Sequence, residues 1–456
     1  MINIKSDSRK VKTGDIFVAL KGISSNGEEY ALKAIENGAS KIIVDSDNKY
    51  SVETIKVDDT REYLNKYLSE NYDTYLNDMK IIGLTGTNGK TTTSYLIYQM
   101  LNRLGIKCAY IGTIGFYLDK KVCNLSNTSP DICDLYDLII QAYDNGYKTI
   151  VMEVSSQGLA MERFKTIKFD YAIFTNLTQD HLDYHKTMEN YALAKRKLFD
   201  SLKDNGISIV NSDDSYYKYY ETKNTVYYGE NAKDYKIESY ELGYSTKIEL
   251  NIKGNIHTFS SKLIGEYNIY NLVAAIALLN EMGIGIEKIA GLTNDLSCPP
   301  GRMDLVKYNN NLIVIDYAHT PDAFNQVYGT INKIKQGKVI TIFGCTGDRD
   351  RTKRPIMMDL ATTNSNYVIV TSDDLHNEQF DHIVKDMLEN ITKNNYEVIE
   401  NRGLAIRKGI SLLKEKDMLL ILGKGHEEVI IVKDKRIPFN DKQEVEKYIN
   451  EIGILN

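Results

Sequence analysis

Lys80-Ile-Ile-Gly-Leu84-Thr-Gly86-Thr-Asn-Gly89-Lys90-Thr91-Thr92 is the stretch on which the fold turns. An apolar run meets a turn punctuated by glycines, and an amphipathic stretch, Thr92–Leu104, comes next. That order reads as strand, loop and helix. Glycines let backbone N–H groups approach phosphate oxygens, and the helix N-terminus adds a favourable dipole. Lys90 would reach the outer phosphates and the Thr91 hydroxyl would hold Mg²⁺. Gly86, Thr87, Asn88, Gly89 and Thr92 complete the loop. Leu84 stands where the generic phosphate-loop spacing has its first Gly. The competing reading is therefore an Asn-Gly turn with an incidental Lys.

The same pattern recurs along the chain. Apolar runs occur at Lys80–Leu84, Thr149–Val154, Tyr171–Phe174, Leu312–Ile315, Val339–Phe343, Tyr367–Val370 and Met418–Leu422. Continuous runs of this length suit strands buried on both faces of a mostly parallel sheet. Thr92–Leu104, Leu272–Glu281 and Glu378–Lys393 read as helices between them, so the class is α/β. Polar clusters succeed the strands, at the carboxyl ends where such sheets collect ligands. Two breaks stand out: polar Glu70–Asp78, and Pro299-Pro300, which fits neither sheet nor helix. They delimit domains at 1–79, 80–297 and 298–456.

Composition narrows the function. The chain has 56 basic and 62 acidic residues, a net charge of −6. That balance argues against a nucleic-acid or membrane-surface binder. Cysteines 108, 123, 133, 298 and 345 contain no Cys-x-x-Cys pair, which disfavours a zinc ribbon or a disulfide framework. A reducing cytoplasm fits. There is neither an apolar signal core nor an 18-residue apolar run, so no membrane segment is expected.

Thr85-Gly-Thr-Asn-Gly-Lys-Thr-Thr92 resembles the ATP loop of the Mur ligases, ATP-dependent amino-acid ligases that build the peptide stem of bacterial cell-wall precursors. Distinctive motifs match in order from Asp7 to Asp441, most closely to the branch that adds the third stem residue. The resemblance implies a small α/β N-terminal domain for the UDP-sugar, a central P-loop ATPase-like domain, and a C-terminal Rossmann-like domain for the amino acid. It implies ATP and Mg²⁺ as cofactors and a monomer in the cytoplasm.

Residue roles carry over position by position. Glu153 in Met-Glu-Val-Ser-Ser and His181 in Asp-His-Leu-Asp match metal ligands, alongside Thr91. Taken alone, His181 and His185 at four-residue spacing would suit zinc, but the third ligand of a His-Glu-x-x-His site is absent. Lys195, in Ala-Leu-Ala-Lys, matches a carbamylated lysine. An amine of pKa ~10 is a poor metal ligand, whereas its CO₂ adduct is a carboxylate. A solvated basic face is the bland alternative for it. Lys90, Glu153, His181 and Lys195 form the expected catalytic group. Asn268 and Asn271 match the adenine segment, although either also suits a helix cap. Arg302 matches a phosphate contact and Asp316 a ribose contact, with His319 in the same segment.

Ser8 matches a uridine-side contact. Thr128, Ser129, Ser155 and Arg163 match the segment that holds the muramoyl-peptide. Arg349, Gly423 and Glu427 match amino-acid positions. The remaining ones, Asp373, Asp374, His376 and Asn377, lie in Thr371–Glu378. Family members that take meso-diaminopimelate usually show Asp-Asn-Pro-Arg there, and those that take lysine often Asp-Asn-Pro-Ala. This chain has Asp-Asp-Leu-His. An Arg fork holds a carboxylate with two parallel bonds and a His does not. A hydrogen bond to a charged group contributes roughly 1.5–3 kcal/mol, so the change costs about 10–150-fold in affinity for such a carboxylate. Asp373 and Asp374 favour a ligand with a cationic amine, or else cap a helix.

The expected reaction is addition of a diamino acid, such as L-lysine or meso-diaminopimelate, to UDP-N-acetylmuramoyl-L-alanyl-D-glutamate through an acyl phosphate. The alternatives are another amide ligase of the superfamily, a P-loop kinase or GTPase, and a non-catalytic nucleotide-binding relative. No guanine- or kinase-specific motif is present.

Overall fold

The computed structural model describes residues 2–22, 26–243 and 245–455, apart from the side chains of residues 183 and 453–455. The chain divides into two compact units. One comprises Met1–Ile237, Asn251–Asn255 and Tyr270–Ile289; the other comprises Glu238–Leu250, Ile256–Ile269 and Ala290–Asn456.

The first unit contains two sheets. Its small sheet pairs Ile4–Lys5, Ile16–Val18, Lys41–Val44 and Glu53–Lys56 in chain order, all parallel. Side chains alternate across a strand, so each face has its own core. Phe17, Ile42 and Val44 pack with Ala31 and Ala34 on one face. Val18 and Ile43 join Leu64 and Leu68 of the helix Thr60–Asn77, and Tyr136 and Ile139 of the helix Ile132–Asp144, on the other. The first 79 residues therefore share a core with the larger sheet's helices. Asp59 caps the helix Thr60–Asn77, its carboxylate accepting from the amides of Arg61 and Glu62.

In the larger sheet, Lys80–Thr85 lies between Thr149–Glu153 and Phe169–Phe174, parallel to both. Cys108–Gly112 continues one side and Leu202–Asn211 then Thr225–Gly229 the other. The chain leaves the central strand first to one side and later to the other, which makes its carboxyl end a switch point of the sheet. The helix Met188–Asp200 crosses close over this strand. A Cβ at Gly83 would stand 2.7 Å from atoms of Leu198 and Phe169, so only glycine permits that approach.

The second unit has a sheet ordered Asp304–Tyr308, Asn311–Asp316, Met418–Leu422, Val339–Phe343, Tyr367–Val370 and Tyr396–Val398. Only the first pair is antiparallel. Alternation again sorts the side chains. Val314, Phe343, Val370, Leu420 and Leu422 meet Phe324, Ile331 and Met358 on one face. Ile315, Ile342, Ile369, Leu419 and Ile421 meet Ile406, Ile410 and Val445 on the other. Burial on both faces is why these strands read as unbroken apolar runs.

The helix expected at Glu378–Lys393 is shorter, Phe380–Met387. Asn390 takes a left-handed conformation (φ 60°) that ends the turn. Glu378 instead faces Arg354, a wholly buried cation on the helix Lys353–Asn364. Among the described residues, no helix is long and apolar enough to cross a membrane.

Leu68 is fully buried where the small sheet meets the helix Ile132–Asp144. Leu68→Ala should destabilise the first unit by about 2–5 kcal/mol, the usual cost of such a cavity. Urea unfolding monitored by tyrosine fluorescence measures the loss; a change near zero would place Leu68 outside a shared core.

Candidate active site

At the switch point the strand runs through Thr85, and Leu84 is a buried strand residue paired with Glu153. The loop therefore begins at Gly86, which explains the missing upstream Gly. Gly86 packs so closely on Thr175 that any Cβ would collide with its hydroxyl. Gly89 is left-handed (φ 84°), and a Cβ there would lie 2.5 Å from Asn271 Oδ1. The helix Lys90–Arg103 starts at the next residue. Asn176 steadies the loop from the neighbouring strand end: its carbonyl accepts from Thr87 N (2.8 Å) and its Oδ1 from Asn88 N (2.9 Å).

Two lysines converge on this loop. Lys90 Nζ donates to the carbonyls of Gly86 (2.8 Å) and Thr87 (2.9 Å). Lys195 Nζ, on the helix Met188–Asp200, donates to the same Gly86 carbonyl at 2.8 Å. Lys195 is buried, and burial first, then the neighbouring Lys90 charge, pulls its pKa well below the usual lysine value. Its amine is thus disposed to be neutral and nucleophilic, unlike a solvated surface lysine.

Glu153 ends the adjacent strand and is buried. One carboxylate oxygen accepts from Tyr110 Oη and from Thr113 N (2.9 Å). The other accepts from Thr91 Oγ1 (2.9 Å) and Thr113 Oγ1 (3.0 Å). Hydroxyl and carboxylate oxygens at the phosphate loop form a donor set that suits a hard divalent cation. The network extends to the predicted peptide segment. Thr113 Oγ1 lies 3.0 Å from Thr128 Oγ1. Ser129 Oγ donates to the Glu153 carbonyl and accepts from Ser155 N. Arg163 Nη1 donates to the Ser129 carbonyl at 2.6 Å, and Ser155 Oγ caps its short helix through Gly158 N. Ser8 is buried at the start of the small sheet's first turn, its carbonyl accepting from Asn37 Nδ2.

His181 stands differently. It is exposed, in a left-handed conformation (φ 52°), with Nε2 3.4 Å from Asp180 and its ring near Tyr191. His185 is buried and its Nε2 lies 2.9 Å from Ser156 Oγ. Both rings lie against Tyr191, but no set of three metal-type ligands among the described residues includes either histidine.

In the second unit, Asp316 is buried and both of its carboxylate oxygens serve the backbone, accepting from Met303 N (2.7 Å) and Ala318 N (2.8 Å). Burial raises its pKa against the opposing charge of Arg302. The Arg302 guanidinium lies over the Tyr317 ring at 4.7 Å, and its Nε is buried without a hydrogen bond among the described residues. His319 Nδ1 lies 2.8 Å from the Tyr317 carbonyl. Asn268 is buried with Nδ2 on the Ile264 carbonyl. Asn271, in the first unit, accepts from Thr93 Oγ1 at 3.1 Å beside Gly89, so it supports the phosphate loop itself.

Asp373, Asp374 and Glu427 form the one set of three metal-type ligands found close together among the described residues. A cation already sits among them. Lys424 Nζ donates to Asp374 Oδ1 (2.8 Å) and Glu427 Oε2 (2.7 Å) and lies 3.8 Å from Asp373. Burial pulls the Lys424 pKa down, but the charges of Asp373 and Glu427 outweigh it and the net shift is upward. The acid pair thus already has its ammonium. Three carboxylates share that one ammonium, so the cluster keeps an excess of negative charge. Gly423 is left-handed (φ 112°), and a Cβ there would lie 2.7 Å from Asp373 Oδ2.

The neighbouring positions are more open. Arg349 is exposed in the loop after Val339–Phe343. Asn377 donates through Nδ2 to Asp348 Oδ2 at 2.8 Å. His376 is left-handed (φ 47°) and bridges Val432 of the strand Val429–Val432. Arg354 grips both Glu378 oxygens at 2.8 and 2.7 Å.

Sequence reasoning overlooks Tyr110, Thr113 and Lys424. Thr113 comes just after a strand end and Lys424 lies between two glycines, so position is a signal for these two. Tyr110 sits mid-strand and carries none.

Sequence models of the Mur ligase family match three stretches: the catalytic domain at residues 2–72, the middle domain at 84–279 and the glutamate ligase domain at 301–425. The chain is 40% identical to the UDP-N-acetylmuramoyl-L-alanyl-D-glutamate–2,6-diaminopimelate ligase of Clostridium botulinum, over 98% of this chain and 95% of that one. It is 38% identical to the enzyme of that name from Aquifex aeolicus, over 99% and 94%. A solved structure of a ligase with the same name superposes with a TM-score of 0.70 at 31% identity, covering 99% and 95%. The MurF ligase of Thermotoga maritima in complex with ADP shares the fold, with a TM-score of 0.68 at 20% identity over 99% and 98%.

Arg354 holds the Glu378 carboxyl at about 2, below its usual 4.5, so its contribution to stability is complete above pH 4.5 and lost as pH falls toward 2. Glu378→Gln should therefore be less stable than wild type at neutral pH, and the gap should close on acidification. Thermal melts at stepped pH measure it; a gap constant down to the lowest pH would exclude the pairing.

Proposed function

The chain belongs to the Mur ligase family, and from that premise we propose that it joins 2,6-diaminopimelate to UDP-N-acetylmuramoyl-L-alanyl-D-glutamate with hydrolysis of ATP to ADP and phosphate. The observation that carries this is the convergence of Lys90, Lys195, Thr91 and Glu153 at one loop, with Thr128 linked through Thr113 to the Glu153 carboxylate and Ser129, Ser155 and Arg163 linked to its backbone carbonyl. Relatives at about 40% identity over nearly the whole chain carry that activity in their names. Matches at 2–72, 84–279 and 301–425 support domains at 1–79, 80–297 and 298–456 for the sugar nucleotide, ATP and the amino acid.

The substrate's terminal carboxylate attacks the γ-phosphorus of ATP, an O–P bond forms, and ADP leaves. The amino nitrogen of the incoming residue then attacks the acyl carbon, loses a proton, and expels phosphate. Loop amides and Lys90 cradle the phosphates, and Arg302 is a candidate phosphate contact from the family resemblance. Thr91, Glu153, His181 and the Lys195 carbamate are the candidate ligands for Mg²⁺, which when bound would neutralise the crowded phosphate oxygens. Asn268 is a candidate for the adenine end and Asp316 and His319 for the ribose, while Asn271 braces the phosphate loop. Ser8 serves the uridine end. Arg349, Asp373, Asp374, His376, Asn377, Gly423 and Glu427 form the amino-acid site.

Lys195 becomes a carbamate in this reading. Its neutral amine adds to CO₂, an N–C bond forms and one proton is released. The product is an anion beside Lys90, which reverses the repulsion that the protonated amine would feel there. A monomer in the cytoplasm is part of this reading, and five free cysteines suit that compartment. L-lysine is the second reading for the amino acid, favoured by His376 where an Arg fork would hold a distal carboxylate.

A phosphate-release assay tests the reading. Purified protein, ATP, Mg²⁺ and UDP-N-acetylmuramoyl-L-alanyl-D-glutamate should release phosphate when diaminopimelate is added. Release with lysine alone selects the second reading, and no release with any amino acid refutes the ligase. Lys195→Ala should lose at least about a hundredfold in kcat, the order expected for removing a key charge-stabilising group. A short-chain carboxylic acid should restore part of it. Full activity of the variant would refute the carbamate.

A further inference from the structure

One buried ion pair is used by neither candidate site. Arg402 opens the helix Arg402–Leu412 and Asp441 opens the helix Asp441–Leu455, and both side chains are 0% exposed. Arg402 Nε donates to Asp441 Oδ1 at 2.6 Å and Nη2 to Oδ2 at 2.7 Å. The guanidinium has donors left over. Nη2 also reaches the Leu422 carbonyl at 3.0 Å and Nη1 the Ser372 carbonyl at 3.3 Å. Those two carbonyls immediately precede Gly423-Lys424 and Asp373-Asp374, the halves of the acid–ammonium cluster.

We propose that Arg402, locked in place by Asp441, is a positioning residue for the amino-acid site: its planar fork ties together the two strand ends that carry Asp373-Asp374 and Lys424. A guanidinium presents its donors in one rigid plane, so the carboxylate that fixes two of them fixes the direction of the rest. The two loops are thereby held at the separation at which Lys424 meets Asp374 and Glu427. Among the described residues Arg402 makes no hydrogen bond to a candidate ligand group; its bonds beyond Asp441 go to backbone carbonyls, and its charge is felt by Asp373 and Glu427 at longer range. A lysine has one compact ammonium and cannot serve a carboxylate and two separated carbonyls in that geometry. What the site binds rests on the ligase reading; that the pair anchors the two loops does not.

The test uses two variants of the full chain. Arg402→Met combined with Asp441→Leu removes both charges together, which leaves no unpaired buried ion and often preserves stability. Arg402→Lys keeps the charge and loses the fork, and it decides the matter if the double variant does not fold. Amide hydrogen exchange should accelerate about tenfold or more across residues 371–378 and 422–428, while Val339–Phe343 exchanges as in wild type. In the ligase assay the KM for the amino acid should rise about tenfold, because a misplacement near 1 Å costs up to a hundredfold. The KM values for ATP and for the UDP-sugar peptide should stay put. A folded variant with wild-type exchange in both segments, or with a wild-type KM for the amino acid, overturns the inference. A wild-type protein that turns over no amino acid refutes the ligase reading instead, and the exchange measurement still decides the anchoring.

Discussion

A carboxylate at the buried end of a strand must be satisfied by donors, and Glu153 obtains them from three places. Thr91 comes from the helix after the phosphate loop, and Tyr110 and Thr113 from the next strand and its end. The same residue's backbone carbonyl takes Ser129 from the peptide segment. An unpaired buried carboxylate is costly, so these segments hold one another in register. Gly112 belongs to the same constraint, since any Cβ there would collide with the Glu153 carboxylate. The phosphate loop and the candidate peptide contacts are therefore not independent decorations on the sheet. They are parts of one hydrogen-bonded assembly with Glu153 at its centre.

The second unit uses buried cations for the same end. Lys424 gathers Asp374 and Glu427, Arg354 gathers Glu378 and Asp386, and Arg402 gathers Asp441 with two strand-end carbonyls. Each pairs with carboxylates, as burial of a charge demands. Each also lies behind a loop at the carboxyl edge of the sheet. Loops that must present polar groups cannot be held by apolar packing alone, because their backbone groups need partners. Ionic brackets meet that need while leaving Arg349, His376 and Asn377 at the surface.

Periodicity makes the strands legible. Met418–Leu422 and Val339–Phe343 agree to the residue because both faces are buried and the apolar run ends where burial ends. The helix at 378–393 reads too long because Glu378 and the stretch beyond Met387 have helix-compatible residues. Tertiary contacts decide otherwise: Glu378 is drawn to Arg354, and Asn390 turns left-handed. Composition suggests a boundary near residue 79, whereas residues on both sides of it fall in one compact unit. The core that the first 79 residues share with the helix Ile132–Asp144 is not legible, because a pattern of apolar residues says that a face is buried but not against which partner.

The sequence by itself determined the class of sheet, the strand–glycine loop–helix order around Gly86–Lys90, and which strand ends carry polar clusters, since these depend on local spacing and residue type. It also determined the family, through motifs kept in order. Tertiary structure alone decided the electrostatic state of the groups. Lys195 is an ordinary basic residue on paper, and becomes a suppressed amine only because it is buried beside Lys90. Asp373 and Asp374 look like a free acid pair until Lys424 folds in among them. Charge and burial are properties of neighbours brought together from distant parts of the chain, and no local pattern records them.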